Sequence, residues 1–112
     1  MERKDERYNG WTNYETWAVA LWLGNDPSDD AYWGEVASEV IEDTPDGIRP
    51  SQGTWTVDPE ASTKFAERLE SEVRERSPVR DHASLYADLL SRSLSAVNWD
   101  EISTAWLLDM VE

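Results

Sequence analysis

The stretch Gly10-Trp11-Thr12-Asn13-Tyr14-Glu15-Thr16-Trp17-Ala18-Val19-Ala20-Leu21-Trp22-Leu23 joins a polar helix start to seven consecutive apolar residues, and it holds three of the chain's seven tryptophans. Thr12-Asn13-Tyr14-Glu15 fits a capping box, in which the threonine oxygen accepts from the N3 amide and Glu15 reaches back to the cap amide. Gly24 suits the left-handed stop that ends such a helix. A run that is apolar on every side predicts a helix enclosed by others.

Outward from this helix the same start signal recurs. Asp26-Pro27 opens a second helix, with Pro at the first helical position, where its missing amide costs nothing. Tyr32, Trp33, Val36, Ala37, Val40 and Ile41 form its inner face, and Glu35, Glu39 and Glu42 fall together on the opposite one. Residues 43–58 are punctuated by Pro45, Gly47, Pro50 and Gly53 and read as a long loop, in which Thr54-Trp55-Thr56-Val57 fits a short extended piece.

Asp58-Pro59 opens a third helix, with Ala61, Phe65, Leu69 and Val73 inside. Glu60–Lys64, Arg68–Glu72, Glu70–Arg74 and Glu72–Arg76 pair at four-residue spacing on its outer face. Ser77-Pro78 opens a fourth helix running to about Ala96, with Val79, Ala83, Tyr86, Leu89, Leu90 and Leu94 inward. Asn98-Trp99-Asp100-Glu101 makes a second capping box, and Ile102, Ala105, Trp106 and Met110 follow on one face of a fifth helix. Nothing alternates with period two over a useful length. The expected fold is all-α: one domain over 1–112, a compact bundle of about five helices with a long loop between the second and third, led by a charged, flexible stretch over 1–10.

At 112 residues the chain is long enough for one hydrophobic core. It has no cysteine, hence no disulfide framework and no thiolate zinc site, which fits a reducing cytoplasm. The apolar run is far short of the roughly 20 residues of a membrane span. With a charged N-terminus lacking an apolar signal segment, this predicts a soluble cytoplasmic protein. Twenty-four acids against ten bases give a net charge of −14, which disfavours direct binding to nucleic acid or to an anionic membrane. The imbalance is concentrated: residues 11–63 carry eleven acids against Arg49 alone.

The first block resembles a family of small proteins carried by bacteriophages, plasmids and prokaryotic genomes, which share an N-terminal Asn-Gly-Trp-Thr-Asn-x-Glu-Thr-Trp motif followed by an apolar helix. Asn9 to Trp17 and Leu21-Trp22-Leu23 match it, and Val97-Asn98-Trp99-Asp100-Glu101-Ile102 resembles the family's closing helix. The resemblance implies a mobile-element context and brings no chemistry with it.

No catalytic group stands out. His82 is the sole histidine and has no cysteine or second histidine to work with. Glu15 is accounted for by its place in a capping box. Asp26, Asp29 and Asp30, or Asp43 and Asp46 before Gly47, offer oxygen ligands, but neither set follows a calcium-loop spacing. No metal or cofactor is expected, and no enzymatic activity. Trp17, Trp22, Trp33 and Trp106 sit at core spacing, whereas Trp55 lies between two threonines in the long loop.

The remaining candidate site is the acidic run Asp29, Asp30, Glu35, Glu39, Glu42, Asp43 and Asp46, which no base interrupts. Carboxylates four apart on a helix are separated by about 6 Å along its axis, close to alternate phosphates of a duplex strand spaced about 3.4 Å apart. This predicts a protein partner that is basic or DNA-binding, such as a host nuclease, restriction complex or CRISPR effector, blocked by mimicry of DNA. The alternative is an adaptor that docks through Trp55 and the 43–58 loop, its acidity serving only solubility or salt adaptation.

Overall fold

The computed structural model of the chain describes residues 7–44, 47–51, 53–79 and 83–110. Asp46 and His82 lie outside them. In chain order the elements are α1 (Tyr14–Leu23), α2 (Pro27–Asp43), β1 (Ile48–Ser51), β2 (Thr54–Val57), α3 (Pro59–Glu75), α4 (Leu85–Ser95) and α5 (Trp99–Asp109).

The core is built by α2, α3 and α5. Trp33, Val36, Ala37 and Val40 from α2 meet Ala61, Phe65, Ala66 and Leu69 from α3, with Trp99, Ile102 and Leu107 from the α5 side. The starts of α2 and α3 are capped as their sequences predict: Asp26 accepts from the Ser28 amide and Asp58 from the Glu60 amide, both at 2.8 Å. Small residues let α3 and α5 approach closely. Ser103 Oγ donates to the Ser62 carbonyl at 2.8 Å, and the Ser62 and Thr104 hydroxyls lie 2.9 Å apart.

The fold is not purely α-helical. Within the stretch expected as loop, β1 and β2 pair antiparallel in the register Ile48↔Val57, Arg49↔Thr56, Pro50↔Trp55 and Ser51↔Thr54. Four-residue strands are too short for periodicity to announce, and a two-stranded ribbon tolerates Pro50 because both strands are edges. Gly53 supplies the positive φ of 82° at the turn. Gly47 anchors the base of the hairpin: its amide donates to the Thr44 carbonyl and its own carbonyl accepts from Asp58 N. A Cβ there would stand 2.9 Å from the Thr44 carbonyl oxygen and 3.0 Å from Ala61 Cβ, so only glycine lets this turn lie against α3.

Helix α1 starts one residue later than the capping box predicts. Asn13 is the cap and accepts from the Thr16 amide at 2.9 Å, while the Thr12 amide donates to Glu101 Oε1 of α5 at 3.0 Å. A distant carboxylate thus takes the place expected for Glu15. The second box is likewise half-formed: Asn98 accepts from the Glu101 amide, but the Asn98 amide is satisfied by Thr16 Oγ1 at 2.9 Å. Nor is α1 enclosed. Only Thr16 and Leu23 are buried, and Trp22 is 66% exposed. An all-apolar helix needs neighbours on every side, and α1 packs mainly on α2 and α5.

Helix α4 is shorter than its sequence suggests. Ser77-Pro78 forms a turn, with Ser77 Oγ accepting from Val79 N, because serine and proline serve turns as readily as helix starts. The helix begins instead behind Ser84, whose hydroxyl accepts from Ala87 N at 3.1 Å. Leu94 is buried and Leu90 packs against the core, but Tyr86 and Leu89 of the expected inner face are exposed, as is Ala83. In α5, Ile102 and Trp106 pack inward while Ala105 is exposed, as is Met110 at its C-cap. No helix of the described residues is long and apolar enough to cross a membrane.

Candidate functional site

Helix α2 carries six acids and no base. At about 100° per residue, Glu35, Glu39 and Glu42 fall within roughly 60° of arc on its outward side, and all three are exposed. The other acids diverge from this stripe. Asp29 lies at the first turn on the side of Trp33, half-buried; Asp30 borders a separate notch with Trp11 and Trp106; Asp43 closes the helix beside Lys64. Among the described residues no three carboxylates gather closely enough to hold a metal ion, and Asp26 caps α2.

The run without a base in sequence is not without one in space. Helix α3 lies alongside and brings Arg68 within 3.7 Å of Glu39, Arg76 within 3.8 Å of Asp29, and Lys64 Nζ within 3.4 Å of the Asp43 carbonyl. Arg68 also binds Glu72 at 3.2 Å, and Tyr32 donates to the same carboxylate at 2.6 Å. The hydrogen bond to Glu72, helped by burial, raises the Tyr32 pKa. Burial disfavours the charged Arg68 guanidinium, but the hydrogen bonds to Glu72 and Tyr32 outweigh it and hold the guanidinium protonated. These groups border an open groove of about 780 Å³ between α2 and α3, whose walls carry Lys64, Arg68 and Arg76 as well as Asp43, Glu72 and Glu75. Glu35 and Glu42 make no ion pair among the described residues.

Arg76 is expected opposite Glu72 in sequence and is found elsewhere. Its guanidinium lies 5.2 Å from the ring centres of both Tyr32 and Trp33, a cation–π stack that competes with a solvated helix pair. The other three predicted pairs of α3 form. Beside Arg76 is a notch of about 220 Å³ walled by Trp22, Leu23, Trp33 and Val73. The fully buried Trp33 leaves its indole N–H without an acceptor among the described residues. Trp22, assigned to the core by its spacing, is the exposed wall of this notch.

Trp55 projects from the hairpin, 41% exposed. It shares a strand face with Val57, which packs on the core, but lies two residues further out, past the core's edge. The sequence missed Arg68 and Arg76 as neighbours of the acidic run, because their own helix offers them partners at four-residue spacing. It also missed the exposed apolar surface of α1 and α4.

The two stretches that carry the sequence resemblance meet in space. Thr12 N donates to Glu101 Oε1 at 3.0 Å, Asn98 N to Thr16 Oγ1 at 2.9 Å and Asn98 Nδ2 to Thr12 Oγ1 at 3.3 Å, and the flanking Ala96 carbonyl and Arg7 guanidinium join them through Asn13 and Glu101. Thr12, Thr16, Asn98 and Glu101 are occupied in joining the starts of α1 and α5. No curated protein and no solved structure matches the chain. A model described as a family of unknown function (DUF7249) matches residues 4–110, nearly the whole length, and the protein belongs to that family.

Proposed function

We propose that the protein is a non-enzymatic binding protein of a phage or other mobile element, which acts in the cytoplasm by covering the cationic, DNA-binding surface of a host protein. A defence nuclease, restriction complex or CRISPR effector presents such a surface. The observation that carries this reading is the outward stripe of α2: Glu35, Glu39 and Glu42, spanning about 10 Å of axis at 1.5 Å per residue, on a helix with no base of its own. Arg68 offsets Glu39 in part, so Glu35 and Glu42 carry most of the attraction, with Asp43, Asp30 and Asp29 at the margin.

The test is capture from host lysate with duplex DNA as competitor. A protein recovered through this stripe is displaced by DNA, is lost steeply between about 50 and 200 mM salt, and is not retained by a Glu35→Gln/Glu42→Gln variant. Retention by that variant, or indifference to DNA, overturns the proposal. The exposed Trp55 ring favours one second reading, an adaptor docking through the hairpin. Loss of capture with Trp55→Ala, together with retention by the glutamine variant, establishes that reading instead.

A further inference from the structure

Helix α4 has a wider apolar face than the core beneath it can cover. At about 100° per residue, Leu85, Leu89, Tyr86, Leu90 and Leu94 span roughly half of its circumference. Leu90 and Leu94 hold the inner part of this arc against the core, and Arg74 donates to Ser95 at the helix end. The outer part is open: Leu85 is 65%, Tyr86 71% and Leu89 58% exposed. A cluster of large apolar side chains on one short helix marks a contact surface rather than scattered surface residues.

Charge decides what fits it. Among the helices of the described residues, α4 is the only one with as many bases as acids, Asp88 and Arg92. These two border the open apolar arc, and neither makes an ion pair among the described residues. With one acid, Asp88, against the six of α2, α4 offers a basic partner little attraction. For a second copy, which also carries −14, α4 is the helix of least repulsion. With two α4 helices antiparallel about a two-fold axis near Leu90, Asp88 of each copy falls opposite Arg92 of the other, Leu89 meets its counterpart beside the axis, and Leu85 and Tyr86 lie over the C-terminal half of the partner helix. We infer that α4 is a self-association surface, pairing with α4 of a second copy in this antiparallel, isologous manner. An eleven-residue helix is about 16 Å long and covers well under the roughly 800 Å² per partner of a standard interface. The dimer is therefore weak and forms with concentration.

Analytical ultracentrifugation of the full chain from about 10 µM to 1 mM tests this without any partner. The weight-average mass is expected to rise toward twice that of the chain, and to rise further when salt is increased from about 0.05 to 0.5 M, because screening relieves the repulsion between the two acidic chains. That salt dependence is opposite in sign to the one expected of a basic partner on α2, so either proposal can fail without the other. Leu85→Ser/Leu89→Ser should abolish the rise while leaving the far-UV circular dichroism unchanged. Asp88→Arg should weaken it at least several-fold, and Asp88→Arg/Arg92→Asp should restore it. A mass that stays monomeric throughout, or a dimer that survives the serine variant, overturns the inference and leaves α4 to a different partner. Failure of the double exchange to restore pairing overturns the antiparallel arrangement.

Discussion

The junction between the starts of α1 and α5 and the helix α4 are opposites. At the junction, Thr16 is fully buried and its hydroxyl donates to Asn13 Oδ1 at 2.6 Å while accepting from Asn98 N at 2.9 Å. Asn13, Thr12, Glu101 and Arg7 close the network around it. In α4, three large apolar side chains face outward and the helix is held by its inner residues and its C-terminal end. The polar side chains Thr12, Asn13 and Thr16 of the most recognisable stretch are thus used in holding two helix starts together, whereas the open apolar face of α4 lies where the sequence is less distinctive. A buried polar network is costly when incomplete, so it constrains many residues at once; an exposed apolar helix face constrains few.

Breaking the junction should have the largest effect. Thr16→Val keeps the shape of the side chain but removes the acceptor of the Asn98 amide and the donor to Asn13, and is expected to cost about 1–3 kcal/mol of folding stability, read by urea denaturation. An unchanged midpoint would mean that the two helix starts are not coupled through this hydroxyl.

A smaller, pH-dependent loss is expected from Glu101→Gln. Burial pushes the Glu101 carboxyl up, but the Thr12 backbone and side chain and the Arg7 guanidinium together hold it below its ordinary value. The folded state therefore gains from ionised Glu101 above the unfolded value of about 4.3, and that gain disappears as pH falls through the lowered folded value. The stability difference between the native chain and the variant should be constant near neutrality, at about 1 kcal/mol given the exposed Arg7 partner, and should shrink in acid. A difference that persists unchanged well below pH 4 would remove the charge from the explanation.

The smallest effect sharpens the contrast from the other side. Leu85→Ser/Leu89→Ser should change the stability of the monomer by no more than about 0.5 kcal/mol per site, even as it removes self-association. A loss as large as that of Thr16→Val would show these side chains to be core residues after all.

Much of the helical framework was legible locally. Asp26-Pro27 and Asp58-Pro59 start α2 and α3 as expected because a cap and its amide are neighbours in the chain, and Trp33, Val36, Ala37 and Val40 fall on the buried side as their spacing requires. Local signals misled where a competitor lay elsewhere in the chain. Thr12-x-x-Glu15 looks like a capping box, yet Glu101 reaches the Thr12 amide first. Ser77-Pro78 looks like a helix start but makes a turn, and Ser84 starts α4. The candidate site was half legible: the clustering of Glu35, Glu39 and Glu42 on α2 follows from helical geometry, but the cations beside it come from α3, and Glu39 is already paired by Arg68.

By itself, then, the sequence determined where most helices run, which faces of α2 and α3 are apolar, and that the charge is acidic and concentrated before α3. These depend on interactions within a turn or two of the chain. The tertiary structure alone decided that the starts of α1 and α5 cap each other, that Gly47 must be a glycine for the hairpin to lie against α3, that Trp22 faces outward, and that half of the apolar face of α4 is left uncovered. Burial is a property of how many neighbours an apolar surface finds, and a five-helix domain of this size has too few to surround α1 and α4 on every side.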